Sequence, residues 1–583
     1  MTNTGVEEGQ WRSSRLWTVV AILVFACALA SLFRGFWGQD TTEITVSNLR
    51  PPSEARGSAL AFWNVMGLGD LQLVIGTIAR NASTLMTRPW HLFEAEQCYP
   101  AENALALGEP MISQGILAMP AYLLTRDPVA TFNLLLVGIT LFSALAMYWL
   151  ATEWTGVPAA GIIAGLLYAF HSIKMGDVVH FYIWDSVWTV LALLFARRLF
   201  TRPRWLDAIV LSLCCALQIG GSLYPLLSAA ILAVPFGIWL IASHGVRKLR
   251  WAHWACVIAA IGLAAFGVFT PYLELRSEGV LQGRGRQGYI GYSWLLPGER
   301  LYPGWILPGL GLAGLMLGRR RTAGAAAGDP RWALLLGGLF VLYLAAGGTE
   351  GERWYAAAHL EPPPPRLPNL YPVLAAVIPG LDVVRGPGAI FSGTHLALSI
   401  LAGFGAAALI RVFPKRYATY AAVALVGLTY VYTLSPGAVG LRPRSAYSAI
   451  PVRPSAGSID FFNELERLGN SGPILELPFN DARSPRQKSE SVLLTAYHYR
   501  RTSQCYNSFS GSAHGRVKEI SERLPSRDAL VSLRELGFTT IVVHHGGTRA
   551  RRQRFDRFAG GEKSALLERI LADSSRTAYA IQP

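Results

Sequence analysis

Apolar residues fall along this chain in two patterns. As far as about residue 435 they come in long, nearly unbroken runs. Beyond it they are shorter and recur with helical or alternating spacing. The long runs lie at about 16–33, 128–150, 157–173, 181–199, 206–222, 224–242, 251–271, 303–318, 332–346, 389–410 and 417–435. Each approaches the ~20 residues a helix needs to cross the hydrocarbon core of a bilayer. Helices are expected there because lipid cannot hydrogen-bond exposed backbone groups. The pattern predicts an all-α polytopic membrane domain of about eleven helices over 1–435. One further run, "MISQGILAMPAYLLT" (111–125), contains Pro120 and is short for a span. Counting it as one would invert every basic loop that follows, so it reads as an interfacial or re-entrant helix.

Three long polar segments remain: 34–127, about 347–388 with the stiff stretch "EPPPPRLP" (361–368), and 436–583. In the last, "SIDFFNELERLG" and "RDALVSLRELG" read as amphipathic helices ended by glycine. "PILELPF" and "TTIVVHH" read as strands. A small α/β domain is expected over 436–583.

Composition agrees with a membrane chain. Of 583 residues 52% are hydrophobic and 15% charged, against about 25% charged in ordinary soluble proteins. The net charge of +15 does not point to nucleic acid, because the basic residues gather at the ends of apolar runs, where topology uses them. Arg12 and Arg15 place the N-terminus in the cytoplasm. The basic groups Arg197, Arg198, Arg202 and Arg204, then Arg247, Lys248 and Arg250, then Arg319, Arg320 and Arg321, then Arg411, Lys415 and Arg416 fall at every second junction after that. The junction "ATEWTG" (151–156) is the exception, with no basic residue. This alternation puts 34–127 and the C-terminal segment outside. "RLWTVVAILVFACALASLF" (15–33) lacks a convincing cleavage site and reads as a retained first helix. Of six cysteines, Cys27, Cys214, Cys215 and Cys256 lie in apolar runs. Cys98 and Cys505 lie in polar segments and could pair in an oxidising compartment. No cysteine spacing suggests a metal.

The chemistry concentrates in the polar segments. "GLGDLQLVIGTIARN" (67–81) sets a single carboxylate, Asp70, before an amphipathic helix expected at 71–86. Asp is a favoured N-cap, so capping is the plain reading of that position. A carboxylate just above a membrane could also take the proton of a hydroxyl acceptor. Downstream, Trp90, His91, Phe93 and Tyr99 suit headgroup level. "AFHSIKMGDVVHFYIWDSVW" (169–188) brings His171, Lys174, Asp177, His180 and Asp185 to a membrane edge, where ionisable residues are costly and so are functional candidates; snorkelling into water is the alternative. "NAS" (81–83) fits a glycosylation acceptor, "HH" (544–545) follows a strand, and Asn133 and Gln218 read as interhelical hydrogen bonds.

The order of a first helix, a loop with one acidic residue, a helix on the membrane and an interfacial segment resembles the membrane glycosyltransferases of the GT-C fold. Aminoarabinose and protein O-mannosyl transferases are examples. The resemblance covers roughly residues 10–435 and lies in architecture more than in exact motif. It implies a sugar donor carried on a polyprenyl phosphate and an extracytoplasmic glycan, lipid or protein acceptor. It implies Asp70 as base, with Asp40 in "FWGQD" as fallback, and catalytic help from Asp177 and His180. Arginine forks suit a phosphate, and the outer candidates are Arg276, Arg284, Arg286, Arg300 and Arg385, with Lys174 and His91 as further basic groups for substrate. Similar proteins often show Arg-x-Pro-x-Arg where this chain has Arg385 in "VRGPGAIF"; Ala389 stands at the second basic position, so the pattern is half present. With a lipid-linked donor no nucleotide site is needed. A divalent ion shared by Asp70 and Asp177 is conceivable, but no ligand spacing demands it. A bacterial inner membrane is the setting implied. Two other classes stay open: a transporter or flippase of lipid-linked substrates, which would favour internal repeats and midplane polar residues, and a non-catalytic scaffold displaying its C-terminal domain.

Overall fold

The computed structural model of the chain describes residues 4–47, 58–245, 250–283, 288–290, 293–295, 301–317, 329–347, 369–378, 380–435, 448–469, 471–479, 483–545, 549–560 and 566–582, with backbone alone at 4–14, 47, 58–65, 293, 448 and 549–551. The polyproline stretch 361–368, Arg284, Arg286, Arg300, Arg247, Lys248 and Arg319 to Arg321 lie outside the described residues.

Every apolar run read as spanning is a helix: Thr4–Leu32, Pro128–Thr155, Pro158–Ala169, Val187–Thr201, Trp205–Ile219, Leu223–His244, Trp251–Ser277, Ile306–Leu317, Arg331–Ala346, Phe391–Val412 and Lys415–Leu434. Among the described residues, seven helical stretches are long and apolar enough to cross a membrane. The rest are shorter, and proline or glycine sets several of their ends: Pro158 opens one, and Gly220 follows another. Burial separates two kinds of helix. Pro158–Ala169 and Phe391–Val412 are packed on nearly all sides. Trp251–Ser277 instead turns Ile258, Leu263 and Phe266 outward, each at least 65% exposed. Such an apolar exterior is suited to lipid and is poorly solvated by water.

The junction "ATEWTG" carries no basic residue of its own, yet the fold brings two to it. Arg198 Nε lies 3.0 Å from both oxygens of Glu153, and the Arg411 guanidinium donates to the carbonyl of Thr155. Basic residues from separate junctions therefore gather at one end of the bundle.

The C-terminal segment contains the expected elements. "SIDFFNELERLG" forms Ala456–Arg467, capped by Ser455, and "RDALVSLRELG" forms Arg527–Glu535, capped by Ser526. The helix Pro485–His498 opens with a capping box made by Ser484 and Gln487. Strands β1 (Ile44–Ser47) and β2 (Ser448–Pro451) form an antiparallel pair, Ile44 opposite Pro451. The two expected strands, β3 (Ile474–Leu477) and β4 (Thr540–His544), lie parallel, Ile474 opposite Thr540. With β5 (Leu567–Ala572) and β6 (Arg576–Ile581) they make a four-stranded sheet of order β3-β4-β6-β5. Leu475, Leu477, Ile541, Val543 and Tyr579 pack from it against Leu530, Leu533, Phe538 and Phe555.

This segment is bound tightly to the first polar loop. Chain 96–99 pairs with 502–504: Thr502 N donates to Glu96 O, Cys98 N to Gln504 O and Tyr99 N to Thr502 O. A disulfide joins Cys98 to Cys505. The helix Pro485–His498 packs along Ser58–Thr87 so closely that a Cβ on Gly76 would sit 3.3 Å from the Leu493 backbone.

Candidate functional site

The helix Ser58–Thr87 carries Asp70 in its interior. The capping position expected for Asp70 is therefore corrected. "ALAFWNVMGLG" continues the helix N-terminally, and its glycines are tolerated there. The helix is fixed on the C-terminal side of Asp70. Gln72 donates to Val452 O at 3.2 Å and accepts from Ser489 at 2.8 Å. Further on, Arg80 makes a buried ion pair with Glu96 at 2.8 Å and donates to the carbonyls of His91, Leu92 and Glu94, anchoring the turn below.

The stretch 169–188 breaks into short turns, Ser172–Met175, Val178–His180 and Phe181–Trp184, before the next long helix. This brings His180 against Asp70. Its Nε2 lies 3.2 Å from Asp70 Oδ2, and its Nδ1 lies 2.9 Å from Asp177 Oδ1. Two N–H donors facing two carboxylates is an arrangement that only the imidazolium satisfies. Trp184 Nε1 donates to the other oxygen of Asp177 at 3.2 Å. The hydroxyl of Tyr506, from the C-terminal segment, donates to Asp70 Oδ1 at 2.9 Å. Asp70, Asp177 and His180 are each a quarter to a third exposed, so a ligand can still reach them.

Beside this cluster opens an apolar cavity of about 470 Å³. Leu226, Leu227, Phe269, Leu273, Leu381 and Val384 line its length. Glu109, Tyr224, Arg276, Arg385 and Ser508 are its polar or charged wall. Exposed Arg385 reaches to 3.5 Å from Ser508 Oγ and lies within electrostatic range of Tyr506 and Tyr224. The Asp70 cluster and the cavity are thus joined through residues 506–508. Glu109 accepts from Leu223 N at 3.0 Å, at the start of a helix. Burial pushes its carboxyl up, and that hydrogen bond opposes the shift. A second apolar cavity of about 430 Å³ shares Leu226 and Ala230 with the first and runs on past Phe236 and Leu240.

The other sequence candidates fall elsewhere. Arg276 lines the cavity, held by Asp382 at 3.0 and 3.2 Å. Lys174 is buried apart from the cluster, 2.9 Å from Ser143 Oγ and 3.8 Å from Asp185. His91 pairs with Glu94 on the surface. Asp40 turns back onto its own loop, accepting from Thr42, whose hydroxyl first and amide second hold its carboxyl below the usual range. The glycosylation reading of "NAS" is corrected: Asn81 is fully buried, donating to Pro110 O and Met111 O. Asn133 binds Thr45 and the carbonyls of Thr41 and Ile44, tying β1 to a helix rather than one helix to another. Gln218 does bridge helices, to Thr189. His545 bonds to Ser574 O and Thr577, and His544 to Glu476. Among the described residues no group of three or more His, Cys, Asp or Glu side chains converges to hold a metal.

Sequence reasoning did not single out Tyr506, Trp184, Tyr224, Glu109 or Ser508. A signal for Tyr506 was its place beside Cys505. Pairing that cysteine with Cys98 would have put the tyrosine on the first loop. Glu109 stands before Pro110 at the head of an apolar helix, as a lone carboxylate much like Asp70.

No family sequence model matches the chain, and no curated protein matches it in sequence. Solved structures do. The arabinofuranosyltransferase AftD from Mycobacteria aligns at TM-score 0.55 and 15% identity, over 98% of this chain and 40% of that one. ArnT from Cupriavidus metallidurans bound to undecaprenyl phosphate aligns at TM-score 0.50 and 13% identity, over 97% of both chains. Its apo form aligns at TM-score 0.50 and 12% identity, over 98% of both. This chain spans well under half the length of AftD. These neighbours are GT-C fold glycosyltransferases, and the chain has the GT-C fold.

Proposed function

We propose that the chain is a membrane glycosyltransferase that moves a sugar from a polyprenyl-phosphate donor to an extracytoplasmic glycan, lipid or protein acceptor. One observation carries this. A partly exposed carboxylate, Asp70, is linked through Tyr506 and the 506–508 segment to an apolar cavity whose polar wall includes Arg385 and Arg276. A lipid-linked sugar phosphate needs all three: an apolar bed for the isoprenoid, cations for the phosphate, and a base beside the sugar.

In this reading Asp70 accepts the proton of the acceptor hydroxyl as its oxygen bonds to the anomeric carbon. The bond from that carbon to the phosphate oxygen breaks, and polyprenyl phosphate leaves as an anion facing Arg385. His180, itself held by Asp177, orients Asp70. Arg276, already paired with Asp382, frames the cavity. Lys174 and His91, away from the cluster, act at most through the fold or on a remote part of the acceptor. The neighbour ArnT was solved with undecaprenyl phosphate, which supports the donor class.

We read 1–435 as the membrane domain of about eleven spans and 436–583 as the extracytoplasmic domain. The gathering of basic residues at the end bearing Arg198 and Arg411 supports a cytoplasmic assignment of that end of the bundle. The Cys98–Cys505 disulfide supports an oxidising compartment on the other. An inner bacterial membrane fits both.

The test is donor turnover by the full chain in lipid nanodiscs. Undecaprenyl-phosphate-linked hexoses and pentoses are supplied with a bacterial glycolipid fraction as acceptor, and released undecaprenyl phosphate is measured. Release by the wild type, lost in Asp70→Asn with the protein still folded, is the expected result. Equal release by both proteins refutes the assignment.

A further inference from the structure

We propose that the segment 505–509 of the C-terminal domain is part of the transfer site, with Tyr506 positioning Asp70 and the Cys98–Cys505 disulfide pinning the segment in place. This rests on the transferase reading above. Asp70 is held on two sides: His180 at Oδ2, Tyr506 at Oδ1. A carboxylate offers about four lone-pair sites, so positions for an acceptor hydroxyl remain.

The contact is built in from both partners. Gly69 precedes Asp70, and a Cβ there would stand 2.8 Å from the Tyr506 hydroxyl oxygen. The missing side chain lets the phenol lie against the helix beside the acid. Burial, and then Asp70 itself, push the Tyr506 hydroxyl above its ordinary range, so it remains a donor. The flanks are secured on the first loop. Cys505 is bonded to Cys98, Gln504 O accepts from Cys98 N, and Phe509 N donates to Leu107 O. Ser508 stands at Arg385, and Ser508 and Phe509 form part of the cavity wall. The segment therefore spans from the proposed base to the proposed phosphate cation.

A group that orients the base without touching the lipid acts on turnover rather than on donor binding. Tyr506→Phe keeps the ring and removes the donor. In the nanodisc assay kcat is expected to fall about tenfold, the scale of one charge-assisted hydrogen bond. Donor KM and undecaprenyl phosphate binding should stay within about twofold. Gly69→Ala displaces the same hydroxyl and should lower kcat alike. The two changes should not add, because both remove one contact. Tyr506→Phe with unchanged kcat, an equal loss in binding, or additive effects overturns the proposal. If Asp70→Asn is inactive while Tyr506→Phe is normal, this inference alone fails. If Asp70→Asn turns over donor like wild type, or the wild type releases none, the transferase reading fails and takes this inference with it.

Discussion

Replacing His180 by glutamine tests the electrostatic core of the site. The imidazole bridges Asp70 at 3.2 Å and Asp177 at 2.9 Å, and glutamine can keep one of these contacts at most. A hydrogen bond to a charged group is worth about 1.5–3 kcal/mol when buried, and an exposed ion pair about 0–1 kcal/mol. The three side chains are 23–33% exposed, so about 1 kcal/mol per contact is a fair figure after screening. If the Asp70 contact alone bears on the transfer step, kcat falls about fivefold. If both do, it falls about thirtyfold. Two carboxylates are also left facing the position of the missing cation, so thermal stability should fall by about 2 kcal/mol or less. The assay is undecaprenyl phosphate release, with kcat and donor KM measured separately, alongside a melting curve in the same nanodiscs. A kcat within about twofold of wild type, or a rise in KM alone, refutes the idea that His180 organises the base.

Other outcomes follow from the same geometry. Glu476 on β3 accepts from Arg483, Ser491 and Thr502 and sits 2.8 Å from His544. Burial alone would raise its carboxyl, but the Arg483 charge and these hydrogen bonds hold it well below the usual range. A depressed carboxylate stabilises above its unfolded pKa of about 4.3, and that stability is lost as pH falls through the folded value. Glu476→Gln should therefore destabilise the chain by about 3–5 kcal/mol at neutral pH and flatten its acid unfolding curve; an unchanged acid slope contradicts this. Ala230→Trp places a large ring where the two apolar cavities meet. Donor KM should rise at least about fivefold with kcat retained, and unchanged KM would remove the lipid from that path. Reducing the Cys98–Cys505 disulfide should cost about 2–5 kcal/mol of stability and free the 96–99 and 502–504 amides to exchange; protection equal to the oxidised protein refutes that role.

Much of the fold was legible because lipid leaves few choices. A long apolar run must be a helix, and each of the runs is one. Asp70 was legible for a related reason, since a lone carboxylate in an apolar stretch has to be explained. Asp177 and His180 stood together in one short loop, so their meeting required only a turn. Neither the burial of Lys174 nor the interior place of Asp70 in its helix could be read from spacing. Both depend on where neighbouring segments pack, as with Ser143 and Asp185 around the lysine. Tyr506 lies 436 residues from Asp70. No local pattern encodes such a contact. Only the cysteine pair hinted at it, and the pairing became evident in the fold.

The most direct test of the central claim is a cryo-EM map of the full chain with undecaprenyl phosphate. The account predicts the isoprenoid along Leu226, Leu227 and Phe269, with the phosphate within hydrogen-bond reach of Arg385 and facing Asp70 across Tyr506. Lipid bound elsewhere on the bundle, or a phosphate turned away from Arg385 and Asp70, would contradict it.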